Sequence, residues 1–76
     1  MNKIRRKKLA ELTEKLNDLR ADLEEVFDEE SEARDNIPES LMGSERYEAA
    51  DEACYNLEAA MDSIQEAIDG IEQAME

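Results

Sequence analysis

The chain is 76 residues long, 41% hydrophobic and 41% charged, with two tyrosines, one phenylalanine and a net charge of −13. A chain this short makes one domain at the lower size limit for a self-sufficient core, and its composition suits long helices rather than a sheet. Its charge disfavours direct nucleic-acid binding by the surface as a whole and points to a basic partner.

The N-terminal run Asn2-Lys3-Ile4-Arg5-Arg6-Lys7-Lys8 is basic, but no apolar segment follows it, so it does not read as a secretory signal. No apolar run approaches the ~20 residues of a membrane span. From there Leu9, Leu12, Leu16, Leu19, Leu23 and Val26 recur at alternating spacings of three and four. This is the rhythm of a and d positions in heptads and predicts a first helix over about 3–35. Glu30 and Ala33 continue the register.

Residues 36–44 break it. Asn36-Ile37-Pro38-Glu39-Ser40-Leu41-Met42-Gly43-Ser44 holds the only proline and one of the two glycines. Pro38 biases Ile37 away from helix, and Ser44 is a natural N-cap with Glu45 in the first turn behind it. Ile37, Leu41 and Met42 are expected to fold back and plug the end of the hairpin. So short a loop makes the flanking helices antiparallel neighbours.

The second helix, over about 45–75, carries Tyr47, Ala50, Cys54, Leu57, Met61, Ile64, Ile68, Ile71 and Met75 in the same 3–4 rhythm. Residues whose numbers sum to 80 then face each other: Leu9 with Ile71, Leu12 with Ile68, Leu16 with Ile64, Leu19 with Met61, Leu23 with Leu57, Val26 with Cys54. Each layer matches apolar with apolar. Ala53, Ala60, Ala67 and Ala74 form a small-residue column on the g flank. Opposite them the stems of Lys8 and Lys15, with Asp22 and Glu29, are expected to lie over the alanines. Arg20 and Arg34 are placed on the other flank, towards Asp51, Glu58 and Glu72. The expectation is an all-α fold, an antiparallel two-helix coiled-coil hairpin spanning 1–76 as one unit. A single seam stabilises so short a chain only weakly, so dimerisation into a four-helix bundle is also expected. Its second contact would be lined by Phe27, Ala10, Ala21, Ala49 and Ala59.

Catalytic chemistry finds no footing here. There is no histidine, no Gly-rich phosphate loop and no nucleophile motif. Neither Glu-x-x-His pairs nor a calcium-loop pattern is present. The expectation is a non-enzymatic protein with no metal and no cofactor. Cys54, the single cysteine, occupies an a position and reads as a buried small hydrophobe rather than a reactive thiol. It suits a reducing compartment such as the cytoplasm. Glu30, at an a position, reads as the partner of Arg34 one turn on, with Tyr47 also in reach; a contact residue near the loop is the alternative. Phe27, beside the seam, either covers Cys54 and Ala50 or anchors a second chain. Tyr55, on the outer face, is an interface candidate. Gly70 lies outside the core and weakens its helix.

Charge is the most informative surface feature. Residues 21–35 carry eight acids against Arg34, the loop adds Glu39, and residues 45–59 carry five acids against Arg46; this loop-side half is −12 and the rest of the chain −1. Asp18 and Asp22, Glu24 and Asp28, Glu25 and Glu29, and Asp28 and Glu32 are like-charge pairs at i, i+4, each destabilising by roughly 0.2–0.5 kcal/mol. Twelve charges over about 22 Å of helix approach the density of duplex DNA, one per about 1.7 Å. A solvated acidic face is the ordinary reading. The other is mimicry of nucleic acid, with Glu24, Glu25, Asp28, Glu32, Asp35, Glu48, Asp51 and Glu52 as the contact residues and Phe27 and Tyr55 as apolar additions.

The loop sequence Asn36-Ile37-Pro38-Glu39-Ser40-Leu41, the following Gly43-Ser44-Glu45-Arg46, the Ala/Glu/Ile-rich helix from Ala49 to Met75 and the basic opening together resemble small acidic two-helix proteins of phages, prophages and mobile elements of Gram-positive bacteria. That family has no settled activity, so the resemblance carries over no functional residues. It implies a counter-defence setting, in which an acidic inhibitor blocks the basic groove of a host defence protein. Two other readings stand beside it. The hairpin can be a structural or oligomerisation element, its acidity serving solubility. Alternatively Lys3, Arg5, Arg6, Lys7 and Lys8 can touch nucleic acid, unless they only neutralise Asp69, Glu72 and Glu76 at the nearby end of the second helix.

Overall fold

A computed structural model describes residues 1–41 and 43–76. Two long helices, α1 (Lys3–Asp35) and α2 (Glu45–Met75), pack against each other as an antiparallel hairpin, with one 3₁₀ turn over Glu39–Leu41 in the connection. The Cα envelope measures 59 × 15 × 13 Å, a rod one hairpin thick. Neither helix is long and apolar enough to cross a membrane.

Local chemistry sets the helix limits. Ser44 is extended, and its hydroxyl accepts a hydrogen bond from the Tyr47 N–H at 3.3 Å, capping α2; Glu45 and Glu48 sit favourably in its first turn. At the other start Asn2 does the same for α1, its side-chain oxygen accepting from the Arg5 N–H at 2.8 Å. The apolar spacing did not mark Asn2; the identity of the residue before the basic run could have. In the connection Leu41 N–H donates to the Pro38 carbonyl and Ser44 N–H to the Leu41 carbonyl, so the turn satisfies its own backbone. Ile37 is buried under the hairpin end, whereas Leu41 is half exposed and does not plug it. Met42 lies outside the described residues.

The core is narrow and lies almost wholly on α2. Cys54, Met61 and Ile68 are buried, while α1 contributes no buried residue. Here the apolar-on-apolar layers need correction. Leu12, Leu19 and Val26, expected opposite Ile68, Met61 and Cys54, are 39, 56 and 50% exposed. Apart from Ser31, the part-buried residues of α1 are instead Leu9, Thr13, Leu16, Arg20, Leu23, Phe27, Glu30 and Arg34. Spaced four and three, they are the a and e columns. At 100° per residue this turns α1 by roughly 50° from the a/d seam. Size explains the rotation. Phe27 is the bulkiest apolar side chain of α1, and it shares a hollow with the small Cys54. Burying Phe27 there removes more apolar area from water than burying Val26 would, and it carries the rest of the e column inward.

Rotation also alters the flanks. Ala53 and Ala60 are half-buried, but Ala67 and Ala74 are exposed, and so are Lys8, Lys15, Asp22 and Glu29. These four do not cover the alanines, because the g column of α1 has swung away with the d column. Arg34 spans the other side, where its guanidinium meets Asp51 of α2 at 2.9 Å. The numbers of that pair sum to 85, above 80, in the direction that side chains leaning towards their own helix N-terminus produce between antiparallel helices.

Gly70 lies inside α2, and a methyl group on it would meet nothing within 4 Å. Gly70→Ala should therefore stabilise the hairpin by about 1 kcal/mol, read from denaturant midpoints at unchanged slope. A destabilised variant would mean that this face is covered.

Candidate functional site: an acidic face on the loop-side half

The outer surface of the loop-side half is built by both helices. From α1, Glu24, Glu25, Asp28, Glu32 and Asp35 project away from the seam; from α2, Glu48, Asp51 and Glu52 do so. All eight are exposed. The helical repeat puts the α1 set within about 100° of arc, opposite the buried edge. The Arg34–Asp51 bridge ties the two helices together on this side.

Among the described residues Arg34 is the cation that pairs with acids of this face. Its Nη1 donates to Asp51 at 2.9 Å and its Nε to neighbouring Asp35 at 3.2 Å, with Nη2 at 3.5 Å from the Ser31 hydroxyl. The hydrogen bond to the Asp35 carboxylate holds the guanidinium more firmly protonated than usual; partial desolvation opposes it, and the hydrogen bond to Asp51 adds a lesser push in the same direction as Asp35. Glu30, half-buried, is not its partner. The guanidinium is instead shared between Asp35 and Asp51. Two of the eight carboxylates are thus engaged. Glu24, Glu25, Asp28, Glu32, Glu48 and Glu52 form no ion pair among the described residues.

Arg20 stands two heptads before Arg34 in the same column. The residue two heptads beyond Asp51 is Gln65, whose amide donates to Asp69 at 3.0 Å instead. Arg20 accordingly makes no ion pair among the described residues, and its Nε, like the Thr13 hydroxyl, is buried without a hydrogen-bond partner. Arg34 fulfils the expected flank pairing and Arg20 does not, because an amide holds the matching place.

Phe27, Arg34, Asp51, Cys54, Tyr55 and Glu58 line a shallow hollow at the centre of this face. Phe27 is half-buried in it. It covers Cys54 and is no protruding anchor. Tyr55 is 73% exposed, an aromatic ring standing among carboxylates. Cys54 is buried, as its a position implied. At the far end of the rod, Lys3, Arg5, Arg6, Lys7 and Lys8 are all exposed. Among the described residues none closes an ion pair with Asp69, Glu72 or Glu76.

Comparison with protein families, with characterised proteins and with solved structures finds no match to this chain.

Proposed function

We propose that the loop-side half of the hairpin is a protein-binding surface that occupies a basic, phosphate-binding groove on a nucleic-acid-binding partner and blocks it. One observation carries the reading: eight carboxylates stand exposed on that half, six of them without an ion pair among the described residues. A chain selected only to fold gains from alternating such charges with lysine along a helix. The carboxylates are spaced along a rigid rod, much as phosphates are along a strand, and rigidity lowers the entropy lost on docking. Tyr55, at the centre, supplies an aromatic contact of the kind enriched at interfaces. The partner implied is basic. If the resemblance to phage and mobile-element proteins is followed, it is a bacterial host defence protein, and the setting is the host cytoplasm.

The test is capture from a bacterial lysate at low salt, followed by competition. A captured protein that binds nucleic acid, is displaced by excess duplex DNA or RNA, and is released as salt rises to physiological levels agrees with the proposal. Binding that saturating nucleic acid leaves unchanged overturns it.

A further inference from the structure

The face opposite the acidic one is apolar and uncovered. Rotation of α1 leaves Leu12, Leu19 and Val26 in an open column seven residues apart. Two hollows lie along it. One is walled by Met1, Arg5, Lys8, Leu9 and Leu12, the other by Leu19, Asp22, Leu23, Val26 and Ile64. The chain exposes 5904 Å², against about 4,700 Å² for a compact monomer of its mass. That excess exceeds the roughly 800 Å² that each partner of a standard interface buries.

The charges bordering this column suggest what covers it. The adjacent g column of α1 reads Lys8, Lys15, Asp22, Glu29: two cations, then two anions, all exposed. Turned end for end, the same column is its own complement. Lys8 meets Glu29 and Lys15 meets Asp22, pairs whose numbers sum to 37. The apolar column has the same symmetry, Leu12 with Val26 and Leu19 with itself, sums of 38. Residue 19 is also the midpoint of α1, Lys3–Asp35. Within one chain the charge of α1 runs against its own helix dipole, with bases at the N-terminus and acids towards the C-terminus, each disfavoured there. An antiparallel second copy reverses both defects at once.

We infer that a second copy of this chain packs on this face, α1 against α1 and antiparallel, on a twofold axis at Leu19. Lys8 and Lys15 of each copy then pair with Glu29 and Asp22 of the other. The contact is isologous, so it closes at a dimer. It sets the −12 half of one copy beside the basic end of the other and buries the open leucines in a four-helix bundle. The interface uses neither Phe27 nor the column of Ala10, Ala21, Ala49 and Ala59. The acidic carboxylates of the proposed function remain on the outside, so the two proposals stand or fall separately.

Charge exchange tests it. Lys8→Glu with Lys15→Glu makes the column wholly negative, and Asp22→Lys with Glu29→Lys makes it wholly positive. Each variant alone turns four attractive pairs of the dimer repulsive, and its dimerisation should weaken by about tenfold to a thousandfold. An equimolar mixture should recover a species of twice the 8.7 kDa chain mass in sedimentation equilibrium. Should either variant fail to fold, Leu19→Cys in the otherwise unaltered chain provides the second readout. Mild oxidation should give a covalent dimer, while Ala59→Cys, on the outer face, should give no covalent dimer under the same conditions. Unaltered protein that remains monomeric at high micromolar concentration overturns the inference. So does a pair of charge variants that dimerise as well apart as together, which would indicate α1 packed on α2 with both loops at one end.

Discussion

Replacing Ile68 with alanine is expected to destabilise the hairpin by about 2–5 kcal/mol, the range for deleting a buried branched side chain and leaving part of its volume empty. Ile68 is 2% exposed, the most deeply buried side chain among the described residues, where Ile37, Cys54 and Met61 are the others buried. A domain of this length holds roughly 4–11 kcal/mol in total, so one substitution removes a large part of it. Ile4→Ala is the control: that side chain is 81% exposed, and its removal should fall within about 0.5 kcal/mol of zero. Both are read by chemical denaturation followed through helical circular dichroism at one fixed protein concentration, because association would raise apparent stability by mass action. Leu16 and Ile64, a central layer in the simple a/d picture, are only half-buried, so alanine there should cost less than at Ile68. If Leu19→Ala, at a d position and at a concentration where the chain is monomeric, proves as damaging as Ile68→Ala, α1 is not turned as described and the a/d seam is restored.

The hairpin was legible in the sequence because its signals are local and redundant. The 3–4 rhythm of leucines and isoleucines, Pro38 and the Ser44 cap each fix one feature within a few residues, and the helices begin and end where those signals place them. The rotation of α1 was not legible in the same way. Leu, Val, Thr, Arg and Phe occupy adjacent columns, and which two columns face α2 depends on how one bulky ring, Phe27, fits over one small residue, Cys54. That is a property of the pair in space, and heptad counting treats every leucine at a d position as equal. The Arg34–Asp51 bridge was half legible: column position brought the arginine to the correct flank, but its pairing with Asp35 and Asp51 rather than Glu30 was not carried by spacing. Exposure of the eight acids followed from their distance from either seam, so the a/d error left that surface unchanged.

Reversing Glu24, Glu25, Asp28 and Glu32 to lysine together should abolish partner binding while the hairpin stays folded. The four reversals move the net charge by eight, from −13 to −5, and place cations where the proposed groove presents its own. Single reversals should each weaken binding modestly, mainly through a slower association rate and a shallower salt dependence, since exposed charges act on the encounter more than on the docked state. The four together change the sign of the α1 surface, and like charges facing each other across an interface cost several kcal/mol. Stability should shift little. The 24–28 and 28–32 pairs repel as lysines much as they did as acids. The 25–29 pair becomes attractive, and general repulsion within the loop-side half falls. None of the four takes part in the Arg34–Asp51 bridge, so the fold serves as an internal control, whereas the lysine introduced by Glu25→Lys competes for Glu29 and association is measured beside it. Titration calorimetry against a captured partner, beside helical circular dichroism and sedimentation of the variant alone, separates the outcomes. Lost binding with the fold unchanged, at a protein concentration where the association state matches that of the unaltered chain, is the expected result. Unchanged binding would transfer the interaction to Tyr55 and the hollow beside Phe27, and the phosphate-mimic reading would be wrong.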